Sequence, residues 1–321
     1  MSAQAEFRKH PDDAMFRHEA LVYSGDDGFV EATAPFIDGA LAADETILVM
    51  IPEYKIDLLR SALGGDAAGV HFADMSRVGR NPARIIPAWR DFIAQHGSRR
   101  GALRGIGEPI WASRGPAELV ECQRHESLLN LAFADAGPFW LLCPYDRAAL
   151  PASVLDEAYR SHPFIVADSR QWESDSYHRE AIATALFDGA LPDPHSAALD
   201  LRFDHSSLNS VRRLVSQQLT DAGFGAVQTA DFVLAVNETA TNSIVHGGGG
   251  GHLRVWREGD DTLVCEIRDR GRITHPMVGR ERPPHNRDGG RGLWMVNELC
   301  DLAQVRSDPA GTVVRLHMRR H

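Results

Sequence analysis

Short apolar runs alternate with longer amphipathic stretches through the first half of this chain. The runs predict strands at 20–23, 45–51, 70–73, 103–106, 140–143 and 164–166. Between them, helical periodicity predicts helices at 27–41, 52–63, 82–96, 116–136 and 151–159, with proline at the start of several. Strands that are apolar on both faces, separated by helices, predict a mainly parallel sheet in a three-layer α/β domain.

The pattern changes over 167–198. A short helix is predicted at 177–186, followed by the turn-rich hinge Asp188-Gly-Ala-Leu-Pro-Asp-Pro-His, with the boundary near 191–198. Beyond it come an alternating strand at 198–203 and a helix marked by Leu208, Val211, Leu214, Val215 and Leu219. A second helix follows at 229–246, then a hairpin of 253–256 with 262–268, an aperiodic loop at 270–288, a helix at 292–300 and a hairpin of 304–307 with 312–317. The order β-α-α-β-β-α-β-β predicts a two-layer α/β sandwich with a mixed sheet. The expected organisation is a loose N-terminus at 1–17, an α/β domain at 18–167, a linker at 168–197 and the sandwich at 198–321.

A chain of 321 residues can bury two cores. Its net charge of −10 argues against non-specific nucleic-acid binding, which needs a basic face. No secretory signal core and no apolar stretch of about 18 residues is present, so the expected location is cytoplasmic, with no membrane contact. Cys122, Cys143, Cys265 and Cys300 form no Cys-x-x-Cys pair and read as buried thiols.

Candidate chemistry concentrates in the helix at 229–246. Glu238, Asn242 and His246 recur at a spacing of four and share one face, while Val233, Val236, Ala240 and Ile244 lie opposite. An apolar stripe can thus dock on a sheet while a carboxylate, an amide and an imidazole point into a common space. The run from Gly247 to Gly251 is expected to end the helix in a left-handed cap, and His246 suits the negative end of the helix dipole. Further on, Gly289-Gly-Arg-Gly292-Leu293 opens another helix, and backbone N–H groups at a glycine-rich helix start can bind phosphate.

This order of elements and motifs resembles the Bergerat-type ATPase fold shared by gyrase B-type ATPases, histidine kinases and bacterial anti-sigma serine kinases. Glu238-x-x-x-Asn242 is similar to its N-box and Asp269-Arg-Gly271 to its first glycine box. Gly289-Gly-Arg-Gly292-Leu is similar to the second, and Gly311-Thr312 to the third. The run Asn237-Glu-Thr-Ala-Thr-Asn-Ser-Ile-Val-His-Gly is especially close to anti-sigma kinases. The resemblance implies ATP and Mg²⁺ as cofactors. Asn242 would ligate Mg²⁺ through its amide oxygen, Glu238 would act as general base, and Asp269 would accept a hydrogen bond from the adenine amine. Gly271 would let the backbone pass close to the base. Gly289, Gly290, Arg291, Gly292 and Leu293 would form the phosphate-binding helix start, and Thr312 would support adenine through water. Arg287 and Arg291 both remain open as partners of the γ-phosphate. Arg272 stands where the first glycine box often carries another glycine, and the loop before the second box is short.

In the first domain, Arg104-Gly-Ile-Gly-Glu-Pro-Ile-Trp, Glu121-Cys-Gln-Arg-His-Glu and Leu141-Leu-Cys-Pro-Tyr-Asp resemble the MEDS sensory domain, which implies a RecA-like fold. Yet Tyr23-Ser-Gly-Asp-Asp-Gly carries no phosphate-loop pattern, so no ATP hydrolysis is expected there. Glu108, Glu121, His125 and Tyr145 are expected at a small-molecule pocket near strand ends. Glu121 and His125, four apart on one helix, read as an ion pair or a buried hydrogen bond rather than as metal ligands. The whole chain resembles RsbA-type anti-sigma regulators. That implies a sigma factor and an anti-anti-sigma protein as partners, with phosphorylation of the latter on serine or threonine, and it leaves room for a homodimer. Two alternatives stay open. One is a histidine kinase phosphorylated on His178; the other is a non-catalytic binding module on the same fold.

Overall fold

The computed structural model describes residues 15–97, 102–177, 189–283 and 290–321. The chain divides into two compact units, Met1–Ala183 and Thr184–His321. Among the described residues no helix is long and apolar enough to cross a membrane.

The first unit runs β1 (Phe16–Tyr23), α1 (Gly25–Ala42), β2 (Thr46–Ile51), α2 (Glu53–Leu63), β3 (His71–Asp74), α3 (Met75–Val78), α4 (Ile85–His96) and β4 (Leu103–Gly107). It continues with α5 (Pro116–Ala132), β5 (Phe139–Asp146), α6 (Ala152–Ser161), β6 (Phe164–Ala167) and β7 (Arg170–Glu173). The strand order is β3-β2-β4-β5-β1-β6-β7, parallel throughout except for β7. One face packs Leu21, Tyr23, Trp140 and Leu142 against Phe29, Phe36 and Ile37 of α1 and Ile56 and Leu59 of α2. On the other, the Phe139 ring lies 5.7 Å from Trp89 of α4 and 5.7 Å from Phe133 at the end of α5. A mainly parallel sheet between helical layers is therefore present, as the sequence predicts.

Two departures have clear causes. β1 begins at Phe16, ahead of the predicted 20–23, because Arg17, His18 and Glu19 are buried polar residues that hide the strand from an apolar search. β7 falls in the stretch read as linker. Its residues, Arg-Gln-Trp-Glu, are mostly polar and exposed, and the hairpin turns on Asp168 (φ 48°) and Ser169 (φ 61°) without the glycine that signals such turns. The predicted helix at 177–186 lies, beyond Tyr177, outside the described residues.

The second unit runs β8 (Leu199–Asp204), α7 (Leu208–Asp221), α8 (Ala226–His246), β9 (Gly250–Glu258), β10 (Thr262–Asp269), α9 (Gly292–Leu299), β11 (Leu302–Asp308) and β12 (Gly311–Arg319). Its sheet has the order β11-β12-β10-β9-β8. The expectation of a mixed sheet is corrected: all four pairings are antiparallel. β10 and β11, joined through α9, do run parallel, but β12 inserts between them and pairs with both. Val211, Val215 and Leu219 of α7, Phe232, Val236 and Ala240 of α8 and Val296 of α9 pack on Leu253, Val255, Leu263, Cys265, Ile267 and Leu316. The opposite sheet face carries a buried polar network beside Trp256 and Val264. Glu266, fully buried, takes hydrogen bonds from Arg315 at 2.6 and 3.0 Å and from Arg268 at 2.7 Å. The expected hinge is tied to this face, with Arg315 donating to the Pro192 carbonyl at 2.8 Å and Arg254 pairing with Asp193 at 3.3 Å.

Candidate functional site

α8 carries the site because its two faces divide the labour as the sequence predicts. Val236 and Ala240 are buried in the core and Val233 and Ile244 pack against it, which turns the strip bearing Asn242 and His246 toward a cleft. The five-glycine run needs correction. Gly247 caps α8 at φ −98°, not in the left-handed region, and Gly250 and Gly251 already belong to β9. Only Gly248 (φ 91°) and Gly249 (φ 93°) take the positive φ that glycine allows. Gly247 is required for closeness instead: a methyl there would lie 2.4 Å from the Asp269 carboxyl carbon and 2.5 Å from the Ser243 carbonyl.

The cleft has a volume of about 370 Å³, within the usual range for small-molecule sites. Asn242 and His246 come from α8 and Gly247 from its cap, Asp269 from the end of β10, Gly271 and Arg272 from the following turn, Gly290 from just before α9, Gly292 and Leu293 from its start, and Thr312 from β12. Ile273, Val278, Leu293 and Val314 give it an apolar wall. Predicted positions from four separate segments thus share one cavity. Glu238 is not among the lining residues but lies close to Gly292. A methyl on Gly292 would lie 2.9 Å from the Asn242 amide nitrogen and 3.5 Å from Glu238 Oε2, so glycine keeps open the space between these side chains and the helix start. Arg291 immediately precedes α9. Gly289 and Arg287 lie outside the described residues.

Asp269 is fixed at both oxygens. Oδ2 accepts from the Ser243 hydroxyl at 2.6 Å, and Oδ1 accepts from the Gly271 backbone N–H at 2.7 Å. Each carboxylate oxygen retains a lone pair for a further donor. Thr312 donates to the Gly271 carbonyl at 2.9 Å and pairs with the Ser307 hydroxyl at 2.9 Å, while Ser307 accepts from the Ile273 N–H at 2.8 Å. A methyl on Gly311 (φ 145°) would strike the Asp269 carbonyl at 2.1 Å, so β12 approaches this turn as only glycine permits. Sequence reasoning missed Ser243 and Ser307. Nothing in the local pattern distinguishes them from surface serines; only the fold brings them to Asp269 and Thr312.

The residues expected to line a pocket in the first unit are all buried. Glu108 accepts from the Tyr23 hydroxyl at 2.8 Å and from Lys55 Nζ at 2.5 Å in a buried cluster. Tyr145 meets the His162 ring edge-on at 5.6 Å, and Glu121 and His125 are buried on α5. A cleft of about 470 Å³ in this unit has other lining, including Tyr23, Ser24, Glu31, Arg147 and Asp168.

Comparison with known proteins agrees with this division. Residues 17–163 match the family described as methanogen/methylotroph, DcmR sensory domain (MEDS), and residues 201–318 match the histidine kinase-like ATPase domain. The chain therefore carries a MEDS domain followed by an ATPase-type domain of the histidine kinase-like class. No curated protein matches it. A solved structure, the RsbU and RsbW domains of Rv1364c from Mycobacterium tuberculosis, matches at 22% identity with a TM-score of 0.30. That match covers 39% of this chain and 33% of the other, so this chain spans about a third of that protein's length.

Proposed function

We propose that the C-terminal unit binds Mg·ATP in the cleft between α8, β10 and α9 and transfers its terminal phosphoryl group to a protein hydroxyl. The observation that carries this reading is the convergence of Asn242, Asp269, Gly271, Gly292 and Thr312 on one cavity. The residues fit the ligand. The apolar wall suits a planar base, Asp269 supplies a fixed acceptor beside it, and the space over Gly292 is one that a side chain would fill. Bound Mg²⁺ would neutralise charge on the phosphates, and Asn242 offers it a hard oxygen donor. Glu238, close to Gly292, would accept the proton of an incoming hydroxyl. Backbone N–H groups at the start of α9 would bind the phosphates.

The sequence run from Asn237 to Gly247 and the pairing of this domain with a sensory domain support an RsbA-type regulator. In that reading the chain holds a sigma factor and phosphorylates an anti-anti-sigma protein on serine or threonine. The test is a phosphorylation assay with a candidate anti-anti-sigma protein. Wild type should label it in an acid-stable linkage, whereas Glu238→Gln should bind nucleotide within about twofold of wild type but transfer about 10²–10⁴-fold more slowly. Transfer at the normal rate by Glu238→Gln sinks the base assignment. Acid-labile label on His178, which lies outside the described residues, would favour the histidine kinase.

Arg272 favours a second reading, since it sets a bulky cationic side chain in the lining of the cleft directly after Gly271. In that reading the fold captures its partner and transfers nothing. Sigma-factor capture with no phosphate on any partner would select it.

A further inference from the structure

Four side chains that the sequence reading left apart meet inside the first unit. His18 on β1, Glu126 on α5, Cys143 on β5 and His162 between α6 and β6 are all buried, and one donor atom from each lies within 4.8 Å of the other three. His18 Nε2 is 3.2 Å from Glu126 Oε2 and 3.3 Å from Cys143 Sγ, and His162 Nε2 is 3.3 Å from Glu126 Oε2. A tetrahedral zinc centre, with bonds of about 2.0–2.1 Å to nitrogen and about 2.3 Å to sulfur, separates its donors by roughly 3.3–3.6 Å. These three spacings already lie close to those edges, and no pair of donors is more than 4.8 Å apart.

The hydrogen bonds around the cluster set its chemistry. His162 Nδ1 lies 2.8 Å from the Ala158 carbonyl, which can only accept, so Nδ1 carries the proton. Asn130 donates through Nδ2 to the Ser161 carbonyl at 2.7 Å. Its Oδ1 is therefore an acceptor, and His18 Nδ1, 3.1 Å away, is the donor. Both imidazoles consequently turn an unprotonated Nε2 toward the Glu126 carboxylate. Lone pairs converge with only the Cys143 thiol hydrogen among them, and among the described residues His162 Nε2 and Glu126 Oε1 have no hydrogen-bond partner. Orienting acceptors behind each ring are what metal-binding histidines use.

We infer that His18, Glu126, Cys143 and His162 form a closed four-ligand site for a divalent cation of the zinc class. One thiolate and one carboxylate with two neutral imidazoles balance a 2+ ion, so the buried centre would carry no net charge. Loading displaces only the Cys143 thiol proton. Nitrogen and sulfur donors favour zinc over magnesium or calcium. With all four positions filled by protein and buried, the site is structural. It ties the central strands β1 and β5 to α5 and to the junction before β6.

The full chain, loaded with Zn²⁺ and dialysed, should retain about one ion per chain. Co²⁺ in its place should give the visible bands of a tetrahedral centre and a thiolate-to-metal charge-transfer band. Cys143→Ser should abolish that band, whereas Cys122→Ser, which removes another buried thiol on α5, should leave it. His162→Gln should lower metal affinity at least about tenfold. X-ray absorption at the zinc edge of the wild-type chain needs no variant. It should show one sulfur at about 2.3 Å among otherwise nitrogen and oxygen scatterers. A wild-type chain that holds no metal after loading, a charge-transfer band that survives Cys143→Ser, or a shell without sulfur overturns the assignment.

Discussion

Asp269 shows how far neighbours can fix the geometry of a candidate binding residue. Ser243 and the Gly271 N–H fix both of its oxygens, so a donor on a base would meet an acceptor that needs no reordering. Asp269→Asn keeps the shape but removes the charge. A hydrogen bond to a charged group is worth about 1.5–3 kcal/mol, so the dissociation constant for ATP should rise roughly ten- to hundredfold. Preference for ATP over GTP should fall with it. Calorimetric titration of both nucleotides checks this, and unchanged discrimination would remove Asp269 from base recognition. Asn242, Asp269 and Thr312 were legible in the sequence because each belongs to a spaced motif. Ser243 and Ser307 were not, because a lone serine carries no pattern.

At the scale of elements, periodicity served well where one face is apolar and poorly where polar groups are buried. α8 declared itself through Val233, Val236, Ala240 and Ile244. The start of β1 did not, since Arg17, His18 and Glu19 read as surface and are interior. On α5 the sequence reading chose Glu121 and His125, yet the side chains that join the cluster with His18 are Glu126 and Asn130, a neighbouring i, i+4 pair. Helical spacing alone does not say which pair faces the sheet, and only the contacts with β1 and β5 decide it. Glycines separate the same way. Gly247→Ala should destabilise the C-terminal unit by about 1–3 kcal/mol, through overpacking against Asp269 and the Ser243 carbonyl. Gly28→Ala, on α1 with nothing within 4 Å of the added methyl, should stabilise the first unit by up to about 1 kcal/mol. Urea unfolding of each variant measures both signs, and two shifts of the same sign would contradict the steric account.

For the whole molecule, each unit has its own sheet and core, and each can be probed by its own observable. In the first, burial pushes the Glu108 carboxyl up from 4.5 to about 7, against the pull of Lys55 and the Tyr23 hydrogen bond. Between those values the folded state keeps a proton that the unfolded chain has released. The contribution is therefore present at about pH 4.5 and below, and it is lost as the pH rises toward about 7. Glu108→Gln should flatten the fall in stability of this unit across that window, even if it lowers stability overall, and an unchanged slope would contradict it. In the second unit the decisive observable is the cleft. The most direct measurement is titration of the full chain with a non-hydrolysable Mg·ATP analogue, with and without Mg²⁺ and in Asn242→Ala. The account predicts saturable binding at one site per chain, strengthened by Mg²⁺ in wild type and without that gain in the variant. Failure to saturate, or a magnesium effect that persists in Asn242→Ala, would contradict it.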